Sequence, residues 1–285
     1  MKPSIILTFD VEDWFQVENF KQHIEFSTWN GFELRVEKST RLILDLLDSF
    51  PFKPKATFFI LGWIAKKLPG LVREIQKQGH EVASHGANHH LCTSLGEKEL
   101  LQDLMDSRKQ LEDITGHKIS GYRAPSFAIN DSILKLIEKA GYTYDSSYNS
   151  FSAHGRYGTI DLSKASGKAG LYQLSKKFYE LPLSNLTLGR KIIPFGGGGY
   201  FRLYPFTVFK WGMKSILRKE NCFTFYAHPW EFDPNQPRVS QASPAFKFRH
   251  YINLDKTESK LKKLIQTFDN TSFITCNDYV ISQSA

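Results

Sequence analysis

"SIILTFDVED", residues 4–13, opens with an apolar run long enough to cross a sheet and closes on three carboxylates, Asp10, Glu12 and Asp13. A strand with apolar residues at every position, not at alternate ones, belongs in a parallel sheet covered on both faces by helices. The fold depends on whether that pattern returns, and it does. "ATFFILG" (56–62), "HEVASH" (80–85), "KISGYRAP" (118–125), "YTYDSS" (142–147), "KFYELPLS" (177–184), "CFTFYAHP" (222–229) and "SFITC" (272–276) read as further strands. Helical spacing lies between them in "KSTRLILDLLDSF" (38–50), "LPGLVREIQKQG" (68–79, capped by Gly79), 97–115, 131–140 (ended by Gly141), 207–218 and "DKTESKLKKLIQTF" (255–268). The Ser-, Gly- and Lys-rich stretch 151–171 reads as a long surface loop, and "FGGGGYFRLYP" (195–205) as an irregular one. The alternation has no linker. It implies an α/β fold in one domain over residues 1–285, with a barrel fitting the strand count better than an open sheet. "GGGG" (196–199) follows no clear strand, so it does not match a nucleotide-binding loop.

Composition narrows the function classes. The chain carries 37 Lys and Arg against 29 Asp and Glu, a net charge of +8. These charges are spread along the sequence, which argues for a solvated surface and against nucleic acid as a partner. Cys92, Cys222 and Cys276 form an odd count without a CxxC pair, pointing to a reducing compartment and no disulfide framework. The N-terminal apolar run is too short for a signal sequence, and no window reaches the ~18 apolar residues of a membrane span. The expected location is the cytoplasm, with membrane contact limited to a peripheral one through a lipid-linked substrate.

The strand ends carry the chemistry. Asp10, Glu12 and Asp13 follow the first strand, His85 the third, Arg123 and Asp145 the next two, and His228 a late one. In a parallel barrel those ends share one rim, where active sites are built. "EVASHGANHHL" (81–91) adds two histidines. On a helical turn His85 and His89 stand about 40° apart and can face one ion, whereas His90 lies about 140° away. Neutral imidazoles and a carboxylate make an open three-ligand site.

These residues resemble the polysaccharide deacetylases that share the NodB homology domain, carbohydrate esterase family 4. "TFDVED" (8–13), "SHGANH" (84–89), "YRAPSF" (122–127), "YDSS" (144–147) and "YAHPWEFDP" (226–234) are similar to its five motifs, in order. "DVEDW", "GGGYFRLYP", "HPWEFDP" and "FRHYINLD" look most like the branch found in exopolysaccharide loci, near the allantoinase-like deacetylases, with a family-specific extension over about 235–285. The resemblance implies a distorted barrel of seven or eight strands and metal-assisted hydrolysis of a sugar acetamide. Asp10 would be the general base, Arg123 its holder, His85 and His89 metal ligands, and His228 the general acid. Pro125, Tyr200 and Trp230 would line the substrate, the two aromatics by stacking on a sugar ring.

The sequence departs from the family pattern twice. Val11 stands where a second aspartate follows Asp10, so the third ligand falls to Glu12 or Asp13. Glu12 is favoured, because on an extended segment it projects to the same side as Asp10. Ser147 and Tyr148 stand where the fourth motif commonly has another acid, which leaves Asp145 as a candidate partner for His228. The implied metal is Zn2+, with Co2+, Ni2+ or Fe2+ compatible with the same ligands. The implied activity is removal of an N-acetyl or N-formyl group from a sugar of a surface polysaccharide or its lipid- or nucleotide-linked precursor. The alternatives are a cyclic amide hydrolase of the allantoinase type and a non-catalytic saccharide-binding barrel.

Overall fold

The computed structural model describes residues 2–151 and 157–284. Strands are β1 (Ser4–Val11), β2 (Ala56–Ile60), β3 (Glu81–Ser84), β4 (Gly121–Tyr122), β5 (Tyr144–Asp145), β6 (Ser166–Lys168), β7 (Leu171–Ser175), β8 (Phe178–Glu180), β9 (Asn185–Leu188), β10 (Lys191–Pro194), β11 (Cys222–Ala227) and β12 (Ser272–Phe273). Helices are α1 (Val36–Asp48), α2 (Gly62–Lys67), α3 (Pro69–Lys77), α4 (Glu97–Thr115), α5 (Asp131–Lys139), α6 (Gly198–Leu203), α7 (Phe206–Glu220), α8 (Pro244–Tyr251), α9 (Thr257–Thr267) and α10 (Cys276–Ser284).

β1 is an interior strand of the sheet, and every one of its residues is buried. It pairs in parallel with β11 on one side and with β2 on the other, while β12 pairs with its first two residues. The parallel order runs β11-β1-β2-β3-β4-β5-β8, and β7 and β6 extend it as an antiparallel edge. Both faces of the central strands are covered, as their unbroken apolar sequences require. Between β8 and β11 there is no ladder among the described residues. Single hydrogen bonds cross there: Ser184 N–H to the Thr224 carbonyl (3.3 Å), Gly196 N–H to Ser184 (2.7 Å) and Tyr226 N–H to Gly196 (2.8 Å). The architecture is α/β around a parallel sheet, in the form of a strongly distorted barrel.

Several expectations need correction. Residues 166–168 and Leu171, within the stretch read as loop, belong to an antiparallel pair of an exposed β6 and a partly buried β7; residues 152–156 of the same stretch lie outside the described residues. An edge hairpin needs little apolar sequence, so its Ser, Gly and Lys content hid it. "GGGG" is not wholly irregular, because its last two glycines begin α6. The β9–β10 hairpin and helices α2, α8 and α10 were not anticipated. β4 and β5 shrink to two paired residues each, because the chain leaves the ladder at once to form the polar rim.

Candidate active site

β1 delivers Asp10 to the rim and turns sharply after it, with the Glu12 N–H bonded to the Asp10 carbonyl at 3.0 Å. Asp10 and Glu12 both line one cavity of about 430 Å³, together with His85, His89 and His228. Arg123, at the end of β4, is fully buried and makes four hydrogen bonds through its guanidinium. Nη1 donates to Asp10 Oδ1 (2.7 Å) and Thr8 Oγ1 (2.7 Å), Nε to the Ser146 carbonyl (2.8 Å), and Nη2 to Ser146 Oγ (2.9 Å). A charge-assisted bond of this kind keeps a buried carboxylate oriented.

Glu12, His85 and His89 each offer one ligand atom, and the three atoms lie within 4.8 Å of one another. Two observations show that these residues suit a cation. His85 donates Nδ1–H to the Arg123 carbonyl at 2.8 Å, which leaves Nε2 as its lone-pair atom. Glu12 Oε2 lies 2.7 Å from His89 Nε2, yet it is a buried oxygen with no aligned hydrogen-bond donor. Burial tends to raise the Glu12 pKa, but the close approach and field of His89 and the fields of His228 and His85 more than offset this, holding it at about 2. Burial pushes His85 down to about 4, the neutral state that a ligand needs.

The helical-turn argument for the histidine pair does not describe the actual path. Gly86 and His89 take left-handed φ values of 75° and 57°, so the two rings are brought together by a looped excursion after β3. Ser126 (φ 52°) and Phe127 (φ 58°) are also left-handed and line the same cavity. Backbone strain of this sort is held where the surroundings over-determine it, and it gathers at functional sites.

Asp13, the alternative third ligand, is turned away. Its carboxylate accepts the backbone N–H groups of Trp14 (2.9 Å), Arg35 (2.7 Å) and Val36 (2.9 Å), so it ties the loop after β1 to the start of α1. Burial pushes it up to about 6 against those three bonds.

His228 follows β11. Its Nε2 is 3.4 Å from Glu12 Oε1, and its Nδ1 bonds to Glu231 Oε1 at 2.9 Å. Burial works against the charged ring, but the Glu231 bond and the fields of Glu12, Glu231 and Asp10 push the pKa up to about 9. Glu231 is held in turn by Arg202 Nε (2.7 Å). Three other Arg202 N–H groups donate to the carbonyls of His250 (3.0 Å), Ile252 (2.6 Å) and Arg249 (3.2 Å), at the C-terminal end of α8. Burial raises Glu231, yet Arg202 and His228 bring it down to about 2. Gly198 makes this arrangement possible: a Cβ there would lie 2.3 Å from the Glu231 carboxylate oxygens.

Asp145 is therefore not the partner of His228. It accepts the Ser147 N–H (3.0 Å) and hydroxyl (2.8 Å), and burial raises both it and the adjoining Glu180, the latter further through the Asp145 charge. Trp230 is not a free stacking platform either. The rings of His228 and His250 stack on it with centroids 4.9 and 4.0 Å away, and only 6% of its surface is open. Pro125 is buried, and the cavity wall beside it is made by Ser126 and Phe127. Tyr200 does line the cavity. Glu231, Arg202 and His250 were missed. The spacing His228-x-x-Glu231 was an available signal for the first, as it permits a reciprocal turn cap, with the His228 N–H donating to Glu231 Oε1 at 3.0 Å.

Residues 1–144 match the family model "Polysaccharide deacetylase", and residues 146–280 match "Domain of unknown function (DUF3473)". A Bacillus cereus protein named peptidoglycan-N-acetylglucosamine deacetylase is 34% identical over 103 residues, 36% of this chain and 47% of that protein. The peptidoglycan-N-acetylmuramic acid deacetylase PdaC of Bacillus subtilis is 36% identical over 95 residues, 33% of this chain and 20% of its own length. This chain thus spans less than half the length of either relative. Among solved structures, a Mycobacterium smegmatis protein described as a polysaccharide deacetylase aligns over 99% of this chain and 91% of its own, with TM-score 0.65 and 18% identity. That likeness concerns the fold. With the family model covering the first half of the chain and its motif residues gathered in one cavity, the chain belongs to the polysaccharide deacetylase family.

Proposed function

We propose that this protein is a metal-dependent N-deacetylase acting on an N-acetylated sugar of a surface polysaccharide or of its lipid- or nucleotide-linked precursor. One observation carries the reading: an arginine-held carboxylate, Asp10, and a glutamate-held imidazolium, His228, open onto the cavity where Glu12, His85 and His89 converge. The names of the B. cereus and B. subtilis relatives support the substrate class.

A divalent ion held by Glu12, His85 and His89, with zinc the first candidate, would polarise the amide carbonyl and acidify a water. Asp10 takes a proton from the attacking water, and Arg123 holds its carboxylate aimed. The water oxygen then adds to the carbonyl carbon. As the C–N bond breaks, His228 gives its Nε2 proton to the departing amine. Acetate and a free amino sugar are the products. Glu231 keeps the ring charged through neutral pH and so ready to donate.

The test pairs elemental analysis with acetate release from N-acetylated sugars, for wild type and for His85→Ala/His89→Ala. About one ion per wild-type chain, lost together with acetate release in the variant, is the expected result. Equal metal in both proteins with no acetate from either would overturn the proposal.

A further inference from the structure

We infer that the face built from α7 and the β9–β10 hairpin docks on the surface of an anionic lipid bilayer. The sequence contains the first clue. From Leu181 to Lys219 there is no acidic residue, while Arg190, Lys191, Arg202, Lys210, Lys214, Arg218 and Lys219 fall within that span. Arg202 is buried in the site, which leaves six cations toward solvent. Lys219 pairs with Glu220, just beyond the span, at 3.2 Å.

The second clue is what those cations surround. Of the ten exposed large apolar side chains among the described residues, five lie between 188 and 211. Leu188 (44% open) and Ile192 (39%) sit at the end of the hairpin, and Val208 (43%) and Trp211 (54%) on the outer side of α7. The fifth, Leu203, also lines the catalytic cavity and precedes α7 by three residues.

The two elements are packed side by side. Phe195, just after β10, stacks on Phe209 of α7 with centroids 4.7 Å apart, and a Cβ at Gly212 would strike the same ring at 2.1 Å. α7 turns Phe209, Gly212, Met213, Ile216 and Leu217 inward. Its outward stripe therefore begins with Val208 and Trp211 and continues with Lys214 and Arg218, at three- and four-residue steps.

An exposed tryptophan and aliphatic side chains on the same two elements as lysines and arginines suit the headgroup boundary. The rings and methyls enter the acyl edge, and the cations meet lipid phosphates. A nucleic-acid site would have the cations but no use for the aliphatic tips. The inference stands apart from the catalytic proposal, since binding is measured without substrate.

The test is flotation of the full chain with vesicles of phosphatidylcholine alone and of phosphatidylcholine with phosphatidylglycerol. Retention on the anionic vesicles, weakening as salt rises, is expected. Each surface cation contributes about fivefold in partitioning, so Lys210→Gln/Lys214→Gln/Arg218→Gln should lose on the order of 100-fold. Trp211→Ala should weaken binding on its own, while Lys66→Gln/Lys67→Gln, on α2, should not. Circular dichroism on each variant confirms folding. Absence of anionic-vesicle binding, equal retention on neutral vesicles, insensitivity to the α7 variants, or retention by duplex DNA in place of vesicles would overturn the inference.

Discussion

Arg123 and Arg202 are both buried, and each has a carboxylate oxygen 2.7 Å from its guanidinium. They differ in how far they stand from the chemistry. Arg123 holds Asp10, the proposed base, directly, and its other N–H groups stay within the sheet, at Thr8 and Ser146. Arg202 acts one step removed. It holds Glu231, which holds His228, and its other N–H groups grip the end of α8. The surroundings of the base are thus built by strands of the first half of the chain. Those of the acid are built by helices of the second half, which cover the cavity. Disturbing the cover should alter the pH behaviour of the acid and leave the base alone.

The largest effect is expected from Arg123→Leu. It leaves Asp10 buried without its counter-ion, a change that costs about 3–5 kcal/mol in comparable buried pairs. Urea unfolding should show that loss, and acetate release should fall on the order of 100-fold or more as the base loses its orientation. An unchanged stability would break the first half of the comparison.

Glu231→Gln comes next. The His228 pKa of about 9 lies above the usual 6.5, so its contribution to stability is fully present below pH 6.5 and is lost as pH rises through about 9. That window amounts to roughly 3 kcal/mol at 1.4 kcal/mol per unit. In metal-free protein, wild type should lose melting temperature over this range, and Glu231→Gln should show a flatter profile. The descending limb of acetate release against pH should move to lower pH in the variant.

Arg202→Leu should cost about 2–3 kcal/mol, less than Arg123→Leu, because Glu231 keeps its bond to His228. Combining Arg202→Leu with Glu231→Gln should recover part of that cost, which a double-mutant cycle in urea would measure. The smallest effect is expected at Gly198→Ala, where an added methyl meets Glu231 and costs about 1–3 kcal/mol. Gly199→Ala, with nothing within 4 Å of its Cβ position, is the matching control and should not destabilise.

The first half of this arrangement was legible and much of the second was not. β1 could be read because its eight buried residues are apolar at successive positions (Ile5, Ile6 and Leu7, then Phe9 and Val11) and not at alternate ones. Asp10, Arg123, His85 and His228 could be placed on one rim because parallel strands all end on the same side. The choice between Glu12 and Asp13 depended on a turn. Extended geometry favoured Glu12, and the Asp13 carboxylate is engaged instead by the backbone N–H groups of Trp14, Arg35 and Val36. His85 and His89 converge through left-handed residues, which residue spacing cannot reveal. Glu231 and Arg202 lie 29 residues apart, and nothing in either local sequence announces their contact. Trp230 was read as a sugar platform because sequence does not show that two imidazoles already cover it.

In the proposed reaction Asp10 and His228 work on an amide held over the Glu12, His85 and His89 cluster. The most direct measurement compares acetate release by wild type and Asp10→Asn at equal bound metal, on an N-acetylated amino sugar. Asp10→Asn should keep its metal and lose at least about 100-fold in rate. Metal-loaded wild type that releases no acetate, or an Asp10→Asn variant as fast as wild type, would contradict it.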